Sequence, residues 1–374
     1  MYNIGVIGCG NRMSGLVSIL EKQPDMRITA IADPRMDELR RQFSGRDIAF
    51  YPDAGTILAS EALDGVMIGT RCSLHTPMAL LAGRYELPLF LEKPLSTSYS
   101  QLEALQSLLP QNERIVVSFP LRRSPIVEAV KEVIDSGSLG RMQHVQVWNN
   151  VYYGRGYYHK WYRDESETGG LFLQKATHNS DYINYLLSDM RPIRICAMKS
   201  KQIFRGDLPA GQKCADCPHL AECPESPEKI AGYGVNSGST HGECYFAVDT
   251  GNEDSGSALI EYESGMHAAY SQNFFVRKDA GSRGARLMGY YGTVQFDFNT
   301  NVIDVIYHNE DRRVTRKIDG GGSHSGGDGL LMQNFADAVH GRDISHTTLA
   351  EGILSARMCL AARESAECRR FVEL

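Results

Sequence analysis

Short apolar runs alternate with amphipathic stretches through the first third of the chain. The segment NIGVIG, starting at Asn3, has the unbroken hydrophobicity of a buried strand, and a glycine turn leads from it into the helix-period GLVSILEKQ. RITAIADP is a second strand carrying Asp33 at its end, and RMDELRRQF is helical. ALDGVMIGT, LPLFLEKPLS and RIVVSFP read as further strands, separated by the helical HTPMALLAGRYE and SYSQLEALQSLL. Repeated β–α alternation predicts a parallel, doubly wound sheet with right-handed crossovers. From about Leu121 the period changes. SPIVEAVKEVIDSGSLG is an amphipathic helix stopped by glycines, and RMQHVQVWNNVYY alternates with period two. SALIEYESGMHAAYSQNFFVRK and ARLMGYYGTVQFDFNTNVIDVIYHN alternate in the same way, as strands of an antiparallel meander. GGLFLQKATHNSDYINYLL, from Gly169, reads as a single helical run, and TLAEGILSARMCLAARESAECRR as a closing structural helix.

Length and charge narrow the classes. A chain of 374 residues is long for one hydrophobic core, so two domains are expected. Hydrophobic residues at 42% and charged residues at 22% are ordinary for a soluble globular protein. A net charge of −6 argues against nucleic acid or anionic membrane as the main partner. The first residues run straight into a strand without a signal-peptide pattern, and no apolar run approaches the roughly 18 residues of a membrane span, so a cytoplasmic location is expected.

Nine cysteines divide into two sets. Cys9, Cys72, Cys196, Cys359 and Cys368 are scattered, whereas Cys214, Cys217 and Cys223 cluster in a polar insert with Cys244 downstream. Tetrahedral zinc takes four soft ligands, and a C-x-x-C knuckle supplies two from one turn. The insert therefore reads as a candidate structural zinc site on Cys214, Cys217, Cys223 and Cys244. His219 and His241 compete for the fourth position, and an iron–sulfur cluster, free thiols or a disulfide are the alternatives.

The candidate chemistry starts at the first glycine turn. Gly8 permits a tight turn, and Gly10 lets the amides that follow, in Asn11, Arg12 and Met13, approach a pyrophosphate at the helix N-terminus. Asp33, ending the second strand, is placed to accept hydrogen bonds from an adenosine ribose diol. It favours NAD by repelling a 2′-phosphate, while Arg35 leaves NADP open. Met13 stands where a third glycine would be expected. Thr70 and His75, after the strand GVMIGT, and Glu92 with Lys93, at the carboxyl end of LPLFL, complete the candidate cofactor residues. A lysine at such a strand end can hydrogen-bond a substrate hydroxyl, and burial beside an oxidised nicotinamide lowers its pKa toward proton transfer. His178 is the second proton-transfer candidate. Gln174 occupies the position one turn earlier where a carboxylate partner is sought, and Lys175 and Asp181 share its helix face as candidate substrate contacts, Asp181 able to support the imidazole only if the ring turns toward it. Trp161 and Arg163, in the aromatic-rich YYGRGYYHKWYRDE, and His324, on the glycine-rich loop before a helix capped by Asp328, are candidate substrate contacts. The other aromatics of that segment read as structural packing.

GVIGCGNRM, ADP, HTPMALLAGRYELPLFLEKPLS, SGSLGRMQHVQ, GGLFLQKATHNSDYINYL and HSGGDGLLMQNFADAV together resemble the Gfo/Idh/MocA oxidoreductases over nearly the whole chain. The resemblance implies an α/β protein with an N-terminal Rossmann domain and a C-terminal α/β domain with a large, mostly antiparallel open sheet that often serves as an oligomer interface. The expected division is 1–120, 121–345 with the insert at about 205–245, and a C-terminal helix over 346–374. It further implies NAD-dependent oxidation or reduction of a secondary hydroxyl or ketone on a sugar, cyclitol or glycoside by a homodimer or homotetramer. Lys93 and His178 fall on the family's active-site positions. Two departures stand out: the family's aspartate four residues before the histidine is Gln174 here, and its TP turn is Thr70–Arg71. An NAD-dependent glycosidase working by oxidation, elimination and reduction is the alternative activity, and a non-catalytic nucleotide-binding protein is the other.

Overall fold

The apolar runs of the first third become six parallel strands: β1 (Tyr2–Ile7), β2 (Met26–Ala32), β3 (Ala49–Tyr51), β4 (Gly65–Ile68), β5 (Leu89–Leu91) and β6 (Ile115–Val117). In the computed structural model, which describes residues 1–231 and 242–374, they form one sheet of order β3-β2-β1-β4-β5-β6. The order reverses between β1 and β4, and open parallel sheets bind ligands outside the strand ends at that switch. Ile4 and Val6 of β1, Met67 of β4, Phe90 of β5 and Val116 of β6 share one buried core. Leu16 and Val17 of the helix Asn11–Leu20 and Leu331 and Phe335 of the helix Gly327–His340 belong to the same core. Each such side chain contributes about 1.5–3 kcal/mol by burial.

The missing third glycine is compensated. Met13 is fully buried, and a Cβ added at Gly69, just past β4, would lie 2.5 Å from its Cε. The space that a glycine would leave in the helix is left instead by Gly69 in the facing strand end.

Nine more strands make the second sheet: β7 (Met142–Asn150), β8 (Pro192–Ser200), β9 (Ser255–Tyr262), β10 (His267–Asn273), β11 (Ser282–Gly289), β12 (Gly292–Asp297), β13 (Val302–Tyr307), β14 (Arg312–Lys317) and β15 (Val372–Glu373). Their order is β14-β13-β12-β11-β7-β10-β9-β8-β15, and every pairing is antiparallel except β7 with β10. This is the mostly antiparallel open sheet expected above.

By internal contacts the chain forms two compact units. The first comprises Met1–Glu128, Ser180–Tyr185 and Asp319–Arg357, and the second Ala129–Asn179, Leu186–Ile318 and Met358–Leu374. Among the described residues, no helix is long and apolar enough to cross a membrane.

Candidate functional site

In the first unit the glycine turn has the geometry a dinucleotide needs. Gly8 is left-handed (φ +79°), and a Cβ there would lie 2.7 Å from the Thr70 amide nitrogen. A Cβ at Gly10 would meet no atom within 4 Å, so the approach to the helix start is open. The helix Asn11–Leu20 has no side-chain cap and no acidic residue in its first turn, which leaves its first amides for an external acceptor. The Asp33 carboxylate accepts the Cys9 N–H at 2.9 Å and is gripped by Arg35 through the main-chain N–H at 2.9 Å, Nε at 3.1 Å and a terminal guanidinium nitrogen at 3.0 Å. Burial pushes this carboxyl up, but those hydrogen bonds outweigh burial and hold it below the usual carboxylate range. Asp33 is therefore an anion at the end of β2, and the Arg35 guanidinium competes with a ribose diol for the same oxygens. Asp33→Ala is expected to raise the Kd for NADH at least about tenfold, since hydrogen bonds to a charged group contribute about 1.5–3 kcal/mol. An unchanged Kd in a fluorescence titration would remove Asp33 from the cofactor residues.

Arg12, Glu92, Asp328 and His324, widely separated in sequence, converge. The two terminal nitrogens of Arg12 donate to Asp328 at 2.7 and 2.6 Å, and its Nε donates to Glu92 at 3.2 Å. Glu92 also accepts the Ser118 hydroxyl at 2.9 Å and the Lys93 amide at 3.2 Å. His324 Nδ1 lies 3.0 Å from Asp328 Oδ2. Burial opposes ionisation of Asp328, but Arg12 and His324 hold its carboxyl well below the usual range. The capping expectation for Asp328 is corrected here. The N-cap is left-handed Gly326 (φ +87°), and Asp328 turns to Arg12 because two charge-assisted bonds are worth more than one cap amide. Arg12 and Glu92 thus tie the first helix to the EKP turn.

Lys93 follows β5 directly, and its turn is pinned from the helix His75–Gly83. His75 Nδ1 is 2.7 Å from the Pro94 carbonyl oxygen and its Nε2 3.1 Å from that of Thr70, while the Thr76 hydroxyl donates to Leu95 O at 2.8 Å. Burial lowers the pKa of His75. Its role in this geometry is to position the Thr70 and Pro94 turns.

In the second unit the expected single run from Gly169 is two helices, Leu171–Gln174 and Thr177–Leu186. The Lys175 and Ala176 amides both donate to Leu171 O, a widened turn that ends the first helix. Gly169 and Gly170 enter it with φ of +76° and +81°, and Glu253, which the sequence did not suggest, accepts the Phe172 N–H at 2.7 Å. Gln174 therefore closes a short helix and His178 opens the next, so the spacing of one regular turn does not apply. Gln174, Lys175 and His178 are all buried.

Lys175 donates to the Tyr153 hydroxyl at 2.5 Å, and its ammonium lies 4.6 and 5.5 Å from the Tyr153 and Tyr157 ring centres. Burial pushes it well below the ordinary lysine value, and the charge of Arg283 pushes the same way. The aromatic segment thus divides differently from the expectation. Trp161 stacks on Tyr162 at 4.0 Å. Arg163 is buried and holds Asp249, the Thr250 hydroxyl and the Cys244 carbonyl, which makes it an anchor of the insert. Tyr153 and Tyr157, read as packing, surround Lys175.

Asp181, although three residues after His178, belongs to the first unit, where Arg122 takes both of its carboxylate oxygens. Burial pushes its carboxyl up to about 7 against the pull of Arg122. It is placed as the partner of Arg122, not as an orienting group for the histidine.

In the insert, Cys214 N–H donates to Gly242 O at 2.7 Å and Cys244 N–H to Gln212 O at 2.8 Å, around an antiparallel bridge of Lys213 with Glu243. Cys217 N–H turns back to Cys214 O, and Phe246 N–H points at Cys244 Sγ at 3.4 Å. None of the nine cysteines is joined in a disulfide. Among the described residues, no three His, Cys, Asp or Glu side chains form a set ready to hold a metal ion. His241 lies outside the described residues.

Residues 2–119 match the NAD-binding Rossmann fold of an oxidoreductase family, and residues 127–295 match the GFO/IDH/MocA C-terminal domain. The Bacillus subtilis (strain 168) protein YteT is 24% identical over 73% of this chain and 72% of its own. The scyllo-inositol 2-dehydrogenase (NAD(+)) of the same organism is 25% identical over 46% of this chain, which spans about half (49%) of that relative's length. Among solved structures, levoglucosan dehydrogenase in complex with NADH and levoglucosan shares the fold, with a TM-score of 0.76 at 19% identity over 100% of this chain and 99% of its own.

Proposed function

Since the chain belongs to the Gfo/Idh/MocA oxidoreductase family, with its NAD-binding Rossmann domain and its C-terminal domain both present, we propose that it oxidises a secondary hydroxyl of a sugar or cyclitol, or reduces the matching ketone. NAD, when bound, supplies the hydride acceptor. The observation that carries the cofactor half is the open, uncapped helix start beside anionic Asp33, and that anion favours NAD over NADP. Lys93 donates a hydrogen bond to the reacting oxygen. Buried His178 takes the hydroxyl proton, with Gln174 able to bond a substrate hydroxyl or the ring, and Trp161, Lys175 and His324 are assigned to the substrate. Scyllo-inositol 2-dehydrogenase and levoglucosan dehydrogenase are relatives whose names point to cyclitols and anhydrosugars.

The test is a panel of sugars, polyols and glycosides with NAD⁺, following absorbance at the NADH band together with product analysis. Net NADH appearance supports the dehydrogenase. Release of an aglycone at constant NADH would replace it with the glycosidase, and no reaction in either direction would end the redox reading.

The four insert cysteines are assigned a structural zinc, favoured by the isolated backbone bridge of Lys213 with Glu243, whose next residues are Cys214 and Cys244. Elemental analysis of the purified protein is expected to give about one zinc per chain, lost in a Cys214→Ser, Cys217→Ser double variant. Metal-free wild type would reduce the cluster to free thiols. A homo-oligomer in the cytoplasm is the assembly and setting assigned, checked by light scattering on the eluted protein and by fractionation of the source cells.

A further inference from the structure

The covered face of the second sheet changes character at one end. Along β7, Val145 and Val147 are buried and apolar, and the next residue on that face is buried Asn149. Along β10, Ala268 and Tyr270 lead to buried Gln272, and along β11, Leu287 and Ala285 lead to buried Arg283. Asn149 is the register partner of both Gln272 and Arg283, so the three side chains stand in one row on the same face.

That row, with Lys175, is rich in donors and poor in acceptors. Arg283 donates to Asn179 Oδ1 at 2.7 Å and lies against the Phe298 ring, but its buried Nε has no acceptor among the described residues. Gln272 Oε1 accepts the Tyr270 hydroxyl at 2.9 Å, and its buried Nε2 has no acceptor among the described residues. Lys175 has three N–H donors, of which one goes to Tyr153. Burial lowers the Lys175 pKa first, and the like charge of Arg283 adds to it. Two cations that are 95% and 92% buried, without an ion-pair carboxylate among the described residues, are costly in a folded protein. A ligand that brings negative charge and acceptor oxygens removes that cost.

We propose that Lys175, Arg283 and Gln272 bind the carboxylate of an acidic sugar, so that the substrate is a uronate, an aldonate or a related sugar acid. This deepens the oxidoreductase reading and rests on it for the chemistry, not for the binding. A carboxylate is favoured over a phosphate because these three residues offer side-chain donors alone, without the helix N-terminus or glycine-nest amides that many phosphate sites add. The planar carboxylate also matches the fork of an arginine.

The experiment uses the full chain loaded with NADH. Glucuronate, galacturonate and gluconate are titrated by calorimetry beside glucose, galactose and sorbitol, and the same compounds are assayed with NAD⁺. At least one acid is expected to bind at least about tenfold more tightly than its neutral counterpart. Lys175→Met is expected to erase that preference by raising KM for the acid about tenfold, with kcat changed far less, and Lys175→Arg to restore part of it. Arg283→Gln is the second variant if Lys175→Met does not fold, judged by circular dichroism and NADH affinity. Acids that bind without turnover leave the carboxylate site standing and remove the dehydrogenase reading. Turnover of neutral polyols with no preference for any acid, or binding of none of the acids, overturns the carboxylate site.

Discussion

His178→Ala is expected to lower kcat by about a hundred- to ten-thousandfold, the range of a lost general base, with NADH affinity unchanged. The histidine is 4% exposed, and it opens the helix Thr177–Leu186 immediately after the widened turn at Lys175–Ala176. Of the carboxylates that sequence spacing offered it, the position four residues earlier is Gln174, and Asp181 is committed to Arg122. A glutamine at that position cannot stabilise an imidazolium electrostatically as an aspartate would. Gln174→Asp should therefore move the acid limb of the kcat profile upward by about one pH unit, because a carboxylate favours the imidazolium. Lys93→Met should lower kcat by a similar factor, with the turn around it still held by Glu92 and His75. Retention of full activity in either the His178 or the Lys93 variant would remove that residue from the chemistry.

What the sequence made legible follows the range of the interactions involved. Strand and helix periods are local, so β1 to β6 and the alternating strands of the second sheet could be read from the chain. The glycine turn and Asp33 lie within one β–α–β unit and were equally readable. Compensation is not local. Nothing near Met13 announces that Gly69 makes room for it, and nothing near Arg12 announces Asp328, more than three hundred residues on. The break after Gln174 was hidden because LFLQKATHNSD keeps helical periodicity across it, whereas the Leu171 carbonyl that widens the turn is a backbone fact. Arg283, Asn149 and Gln272 did leave a trace: each is a polar residue at the inward phase of an alternating strand. That signal says only that something polar is buried, and the row appears when the register is known.

Arg122→Met is expected to cost about 3–5 kcal/mol of stability. Arg122 is 1% exposed and its guanidinium donates to both oxygens of Asp181, also 1% exposed, and to Glu351 at 2.5 Å. The pair itself need not be strongly stabilising, because desolvation of two charges offsets most of their attraction. Removing one partner is different, since the other is left as an unpaired buried carboxylate. Glu351 can turn to water, its side chain being 41% exposed, but Asp181 cannot. Burial already pushes Asp181 up to about 7 with Arg122 in place, and without it the carboxyl rises further. The folded variant then holds a proton that the unfolded chain, with an ordinary carboxyl near 3.9, has released, so its stability falls as pH rises from about 4 through neutrality. Urea unfolding at pH 5 and pH 8 should show the larger deficit at pH 8, and Arg122→Met, Asp181→Leu should recover part of it at both. Equal deficits at the two pH values would mean that Asp181 finds another cation, and a loss below about 1 kcal/mol would mean that the helix carrying His178 is held by its apolar contacts instead.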